Sequence, residues 1–134
     1  MISWFEKHNK LSWIITILIA IFIFYISSLS FEFAPAGGYG WKTIAYHIYA
    51  FLFLTGFLLI SLIKGRRENK NLFFWGLVFV ILYAISDEIH QLFVLGRCCS
   101  FSDVLIDLIG ILVAGFIYLL SLKLNKGLKT SYPT

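Results

Sequence analysis

Between Leu11 and Ser30 the sequence runs LSWIITILIAIFIFYISSLS without one charged side chain. Three more blocks of this kind follow. Ile44 to Ile63 is interrupted only by His47; Leu72 to about Leu95 is apolar as far as Ser86 and polar after it; about Phe101 to Leu122 carries Asp103 and Asp107 at its start. Each block is close to the roughly 20 residues a helix needs to cross a hydrocarbon core about 30 Å thick. In lipid every spanning peptide group must find its hydrogen bond inside the protein. Runs of this length do so as helices rather than as the short alternating strands of a barrel. The expectation is an all-α chain, a four-helix transmembrane bundle forming one domain over residues 1–134, with helices at about 11–30, 44–63, 72–95 and 101–122. A composition that is 60% hydrophobic and 13% charged excludes an ordinary water-soluble domain. Ala34, Pro35 and Ala36 imitate the cleavage site of a leader, but the apolar stretch before them exceeds the usual length of about 7–15 residues. An uncleaved anchor is expected.

The basic residues orient the bundle. Lys7 and Lys10, then Lys64, Arg66, Arg67 and Lys70, then Lys123, Lys126 and Lys129 cluster at alternate ends of the apolar blocks, whereas the other connections hold only Lys42 and Arg97. Positive charge is retained on the cytoplasmic side, so both termini and the 64–71 loop are expected there and the other loops outside. The net charge of +4 follows from this pattern and from anionic lipid headgroups, with no soluble basic domain to suggest nucleic acid as a partner. Tyr39, Trp41, Tyr46 and Tyr49 are expected in an outer aromatic belt, and Trp4, Trp13, Phe73, Phe74 and Trp75 in an inner one. Cys98 and Cys99 are adjacent in the second outer loop and match no metal spacing; their redox state is open.

Four of the seven acidic residues, Asp87, Glu88, Asp103 and Asp107, gather where the third block ends and the fourth begins, beside His90, Gln91 and Arg97. At 100° per residue, Tyr83, Ala84, Asp87, Glu88, His90 and Gln91 share an arc of about 160° on the third helix. Asp103, Asp107, Gly110 and Ala114 share one of roughly 60° on the fourth, a small-and-acidic stripe that suits close helix approach. His47, in the first turn of the second helix, belongs to the same outer level. Ionisable groups inside a membrane cost about 2.5–3.5 kcal/mol on insertion scales and mark a functional site by default. The set is compatible with a helix-locking network, with a carboxylate and histidine acid/base pair, and with a divalent metal site. Oxygen and imidazole ligands suit several ions, but the paired histidines of the zincin motif are absent, so metal and cofactor stay open.

The segment SDEIHQLFVLGRCCSFSDVLIDLIGILVAG, Ser86 to Gly115, resembles the VanZ-like family of small membrane proteins. Asp87, Glu88, Gln91, Phe93, Gly96, Arg97, Ser100, Asp103 and Gly110 fall in the order and spacing of its motif. With Ser27, Ser28 and the start of the second helix, the resemblance covers most of the chain. This sequence departs from it in three ways. Lys42 stands five residues ahead of His47 without a preceding Asp, Leu95 replaces a common proline, and Asp107 replaces an asparagine. The family takes its name from a protein associated with low-level teicoplanin resistance, which implies a surface-facing role in the cell membrane and a lipid-like or lipid-linked ligand. The residues expected to bind are His47, Asp87, Gln91, Arg97 and Asp107, with Glu88, His90 and Asp103 as candidate catalytic groups. The alternative is a scaffold or accessory protein whose polar cluster only locks helices.

Overall fold

A computed structural model describes residues 2–30, 40–63, 69–97 and 99–130, with side chains for 4–30, 40–63, 69–97 and 99–124. A short helix α1 (Ile2–Lys7) leads into α2 (Asn9–Ser27), followed by α3 (Trp41–Ile63), α4 (Lys70–Gln91) and α5 (Phe101–Thr130). No strand occurs among the described residues. Among the described residues four helices, α2, α3, α4 and α5 as far as Leu124, are long and apolar enough to cross a membrane.

Local chemistry sets the ends. Asn69 accepts a hydrogen bond from Leu72 N at 3.2 Å and so caps α4, satisfying a donor the first turn leaves open. The apolar block runs on to Leu95, yet α4 stops at Gln91. The N–H groups of Leu92, Phe93 and Val94 bond three residues back, which tightens the chain, and Gly96 then turns it at φ 80°, a conformation open to glycine. Leu92, Phe93 and Leu95 are left exposed. Ser28 ends α2 in a similar way, its hydroxyl returning to Phe24 O at 2.7 Å. α3 begins at Trp41 rather than Ile44, and α5 continues past Leu122 through its basic residues.

α3 is the central helix, with half of its apolar window buried, and it packs against α2, α4 and α5. Its Phe51, Leu54 and Leu58 meet Ile23 of α2, Val80 and Ala84 of α4 and Ile111 of α5; further along, Leu59, Ile60 and Ile63 meet Tyr118. α3 and α5 run parallel and lie closest. A Cβ on Gly110 would stand 2.4 Å from Ile48 O and 3.1 Å from Leu52 N, so glycine permits this approach. The outward faces carry Ile14, Ile17, Leu18, Phe79, Leu82, Leu112 and Phe116, all exposed, as a chain dissolved in lipid requires.

Of the expected aromatic belts, Trp41, Tyr49, Trp4, Phe74 and Trp75 are exposed. Three others turn inward. Trp13 packs on the main core, Phe73 stacks on Tyr118 with centroids 6.4 Å apart, and Tyr46 buries its hydroxyl. Burial against a neighbour outweighs interfacial preference for these rings. Tyr39, the Ala34, Pro35 and Ala36 stretch, Lys64, Arg66, Arg67 and Cys98 lie outside the described residues, as do the side chains of Lys126 and Lys129. Cys99 is an exposed free thiol.

Candidate functional site

The ends of α2 and α4 and the starts of α3 and α5 meet at one end of the bundle. Ser27, His47, Asp87, Glu88, Gln91, Asp103 and Asp107 are all buried there. The site begins with the parallel seam of α3 and α5. Gly110 brings the two backbones together, and one turn nearer the helix starts His47 Nδ1 lies 2.9 Å from Asp107 Oδ1. With Asp107 ionised its oxygens only accept, so Nδ1 carries the proton. Asp107 Oδ2 is buried without a partner among the described residues. A further turn along α5, Asp103 is buried as well, and its Oδ1 likewise lacks a partner among the described residues.

α4 supplies the opposing wall. Glu88 Oε2 accepts from Ser100 N at 2.9 Å, and Gln91 Nε2 donates to both Glu88 Oε1 and Asp87 Oδ2 at 3.2 Å. The bond from Ser100 changes how α5 starts. Ser100, Phe101, Ser102 and Asp103 have the spacing of a capping box, in which the carboxylate three residues on would take the N–H of the cap. Here Glu88 takes that N–H from another helix, leaving the Asp103 carboxylate available to face the cluster. His47, Glu88 and Asp107 each bring one ligand atom into a group whose members lie within 4.8 Å of one another. Asp103 is in electrostatic reach of both His47 and Glu88.

His90 and Arg97 are placed apart from this group. His90 Nε2 meets Ser28 Oγ at 2.9 Å, and its ring stacks on Phe24 with centroids 4.5 Å apart, so it faces α2. Helical phase explains the division. Around α4 the order is His90, Tyr83, Asp87, Gln91, Ala84, Glu88 over about 160°, which is wide enough to address two neighbours. His90 and Tyr83 form the α2 edge, where Tyr83 OH donates to Ala20 O at 2.7 Å; Glu88 forms the α5 edge. Asp87 lies between them, beside Ser27. Arg97 donates from Nη2 to Ile26 O at 2.9 Å and from Nε to Leu29 O at 3.2 Å, a cation set on the carbonyls that close α2. Lys42 is exposed, its Nζ 6.0 Å from the Trp41 ring centroid.

Three participants were not singled out from sequence as site residues. Ser100 acts through its backbone N–H, which no side-chain pattern reveals. Ser27 has the buried helix-end position that its neighbour Ser28 lacks. Tyr46 reads as an interfacial aromatic, but it meets the His47 ring edge-on at 5.5 Å and its hydroxyl is buried without a partner among the described residues. Chemically, the arrangement is a buried set of acceptors around one imidazole. It suits a cation, a hydroxyl or an amine, and it can hold or pass a proton between His47 and a carboxylate.

A family model described as VanZ/LLP1 matches residues 11–122, which includes every residue of this site. Comparison with curated proteins gives no match, and neither does comparison with solved structures.

Proposed function

The chain belongs to the VanZ/LLP1 family, and from that premise we propose that its polar cluster binds the head of a lipid-like or lipid-linked amphiphile at the outer face of the cell membrane. One observation carries this reading: Asp103 and Asp107 each keep a buried carboxylate oxygen that no described residue satisfies. A buried polar atom without a partner costs about 1–3 kcal/mol, and a ligand offering hydroxyl or amine protons at this position would recover it. The exposed Leu92, Phe93 and Leu95 of the α4–α5 turn stand beside the cluster, where an acyl chain would lie. Arg97, bonded to the end of α2 and in electrostatic reach of Tyr46, sets a positive charge at this end of the bundle.

The distribution of basic residues supports both termini in the cytoplasm, and hence a site on the outer side. The family's association with teicoplanin, a lipidated glycopeptide, fits a ligand of this class. Glu88 and Asp103 also offer a bound hydroxyl or amine an acceptor for its proton, with His47 rather than His90 as the imidazole in reach.

The test is growth inhibition by teicoplanin in sensitive cells expressing the chain. Wild type should protect, while Glu88→Ala and Asp103→Ala should abolish protection with unchanged amounts of folded protein in the membrane. Full protection by both variants would overturn the proposal. The second reading, a non-catalytic scaffold, draws on the bonds that tie the cluster to itself and to α2, from Gln91 to Asp87 and Glu88 and from Arg97 to the end of α2. In that case Asp87→Asn and Arg97→Gln lose folding in detergent in proportion to protection.

A further inference from the structure

We infer that His47, Glu88 and Asp107, with Asp103 as a further oxygen donor, form a binding site for one divalent metal ion of the manganese-to-zinc class. This goes beyond the amphiphile reading and does not rest on it.

The first ground is convergence. Donors bound to one ion at about 2.0–2.2 Å stand about 3 Å apart when adjacent and a little over 4 Å when opposite. His47 Nδ1 and Asp107 Oδ1 are 2.9 Å apart, and the whole group lies within 4.8 Å. A closure of about half an ångström, within reach of side-chain rotation, brings all three donors onto one ion. These donors come from α3, α4 and α5, and they meet in space only because Gly110 lets α3 and α5 touch.

The second ground is independent of the first. Asp107 is fully buried and Asp103 is 7% exposed, yet Asp107 Oδ2 and Asp103 Oδ1 have no hydrogen-bond partner among the described residues. Asp107 is a member of the group, and Asp103 is in electrostatic reach of His47 and Glu88. Acceptors held out of water in this way are costly unless something positive fills the space between them. A proton shared by His47 and Asp107 satisfies one contact and leaves these two oxygens as they are; a divalent ion, on whose binding the Nδ1 proton would leave to solvent, brings positive charge to these acceptors and offsets the carboxylate charge.

Donor chemistry selects the ion. One imidazole with carboxylates is softer than the all-oxygen cage of calcium or magnesium, and without thiolate it does not select copper(I). The surroundings also orient a ligand. Ser100 N–H and Gln91 Nε2 each hold one oxygen of Glu88, which fixes the carboxylate while leaving lone pairs to coordinate.

The full chain, purified in detergent micelles and stripped with chelator, would be titrated with Mn²⁺ by electron paramagnetic resonance and with Zn²⁺ by competition against a chromogenic chelator. The expected result is one ion per chain and a higher thermal midpoint in its presence, since an ion bound only to the folded state stabilises it. Glu88→Gln and Asp107→Asn should weaken binding by more than tenfold, and Gln91→Leu, which touches a ligand rather than the ion, by about tenfold. Were either ligand variant to fail to fold, pulsed measurements on wild type decide the matter, because bound Mn²⁺ should show nitrogen coupling from one imidazole. Substoichiometric binding of both ions, binding unchanged in both ligand variants, or bound Mn²⁺ without nitrogen coupling would each overturn the inference. Loss of teicoplanin protection in Asp103→Ala without metal binding by wild type would leave the amphiphile reading standing and remove this one.

Discussion

The two ends of this bundle treat buried polar groups differently. Where α1 meets the start of α2 and the close of α3, short hydroxyls bond to nearby carbonyls. Ser12 donates to Phe5 O at 2.8 Å, Thr16 to Ser12 O at 2.8 Å and Ser61 to Phe57 O at 2.8 Å, while Thr16 and Ser61 also meet each other across α2 and α3 at 3.4 Å. Such a network needs nothing from outside. At the other end the buried groups are carboxylates, and oxygens of Asp103 and Asp107 remain without described partners, as does the hydroxyl of Tyr46. Carboxylates cannot fold back onto their own helix carbonyls, because both are acceptors. The first end therefore locks helices, and the second holds acceptors ready for something else. Thr55, on α3 between the two ends, is an apolar-core hydroxyl without a described partner and belongs to neither pattern.

The strongest way to break the comparison is to separate α3 from α5, because the site end depends on their contact. Gly110→Leu places a side chain where even a Cβ would lie 2.4 Å from Ile48 O. The expected cost is about 3 kcal/mol or more, at the upper end of overpacking, and it should be read as a collapse of the thermal midpoint in detergent together with loss of protection. Retention of both would mean that the seam does not organise the site.

Removing one member of the seam pair comes next. Asp107→Ala deletes the 2.9 Å contact and leaves His47 buried beside a void. The expected loss is about 1–3 kcal/mol, measured by thermal unfolding, and Asp107→Asn should recover most of it by keeping an acceptor in place. An asparagine variant that is stable and yet inactive would separate the charge of Asp107 from its packing.

Thr16→Val probes the self-satisfied end. It keeps the shape of the side chain and removes bonds to Ser12 O and Ser61 Oγ. Polar contacts between membrane helices are worth about 0.6 kcal/mol on average, so the thermal midpoint should fall slightly while protection against teicoplanin is unchanged. A loss of protection here would show that the two ends are coupled.

The spans were legible because lipid imposes a length and an apolarity that few other solvents demand, and Leu11 to Ser30 meets both without exception. The gathering of His47, Asp87, Glu88, Gln91, Asp103 and Asp107 was legible in outline, because helical phase sets the residues of α4 and of α5 on shared arcs and His47 lies near the start of α3 at the same level. What phase does not show is which neighbour each edge of a wide arc will meet. His90 shares the arc of Glu88, but its partner is Ser28 of α2, a fact that depends on how α2 and α5 flank α4. The redirected cap of α5 was hidden for a related reason. The SFSD spacing from Ser100 to Asp103 predicts a local bond, and the tertiary approach of Glu88 replaces it. Arg97, expected among the carboxylates, bonds the last carbonyls of α2 because the Gly96 turn carries it there.

The finest distinction between the two ends lies in Asp103→Asn, which should have the smallest effect on stability. Its carboxylate sits near the start of α5, where the helix dipole favours negative charge by about 0.3–1 kcal/mol. It also sits within electrostatic reach of Glu88 and Asp107, whose like charges oppose it. These contributions have opposite signs and similar size, so the thermal midpoint should barely move, and the amide should be as well accommodated as the acid. Protection should nevertheless be lost, because the amide turns part of an acceptor surface into a donor. Stability untouched and protection lost would mark Asp103 as a residue held for a ligand. A fall in stability larger than that of Thr16→Val would instead make the site end as structural as the other, and the contrast between the two ends would not survive it.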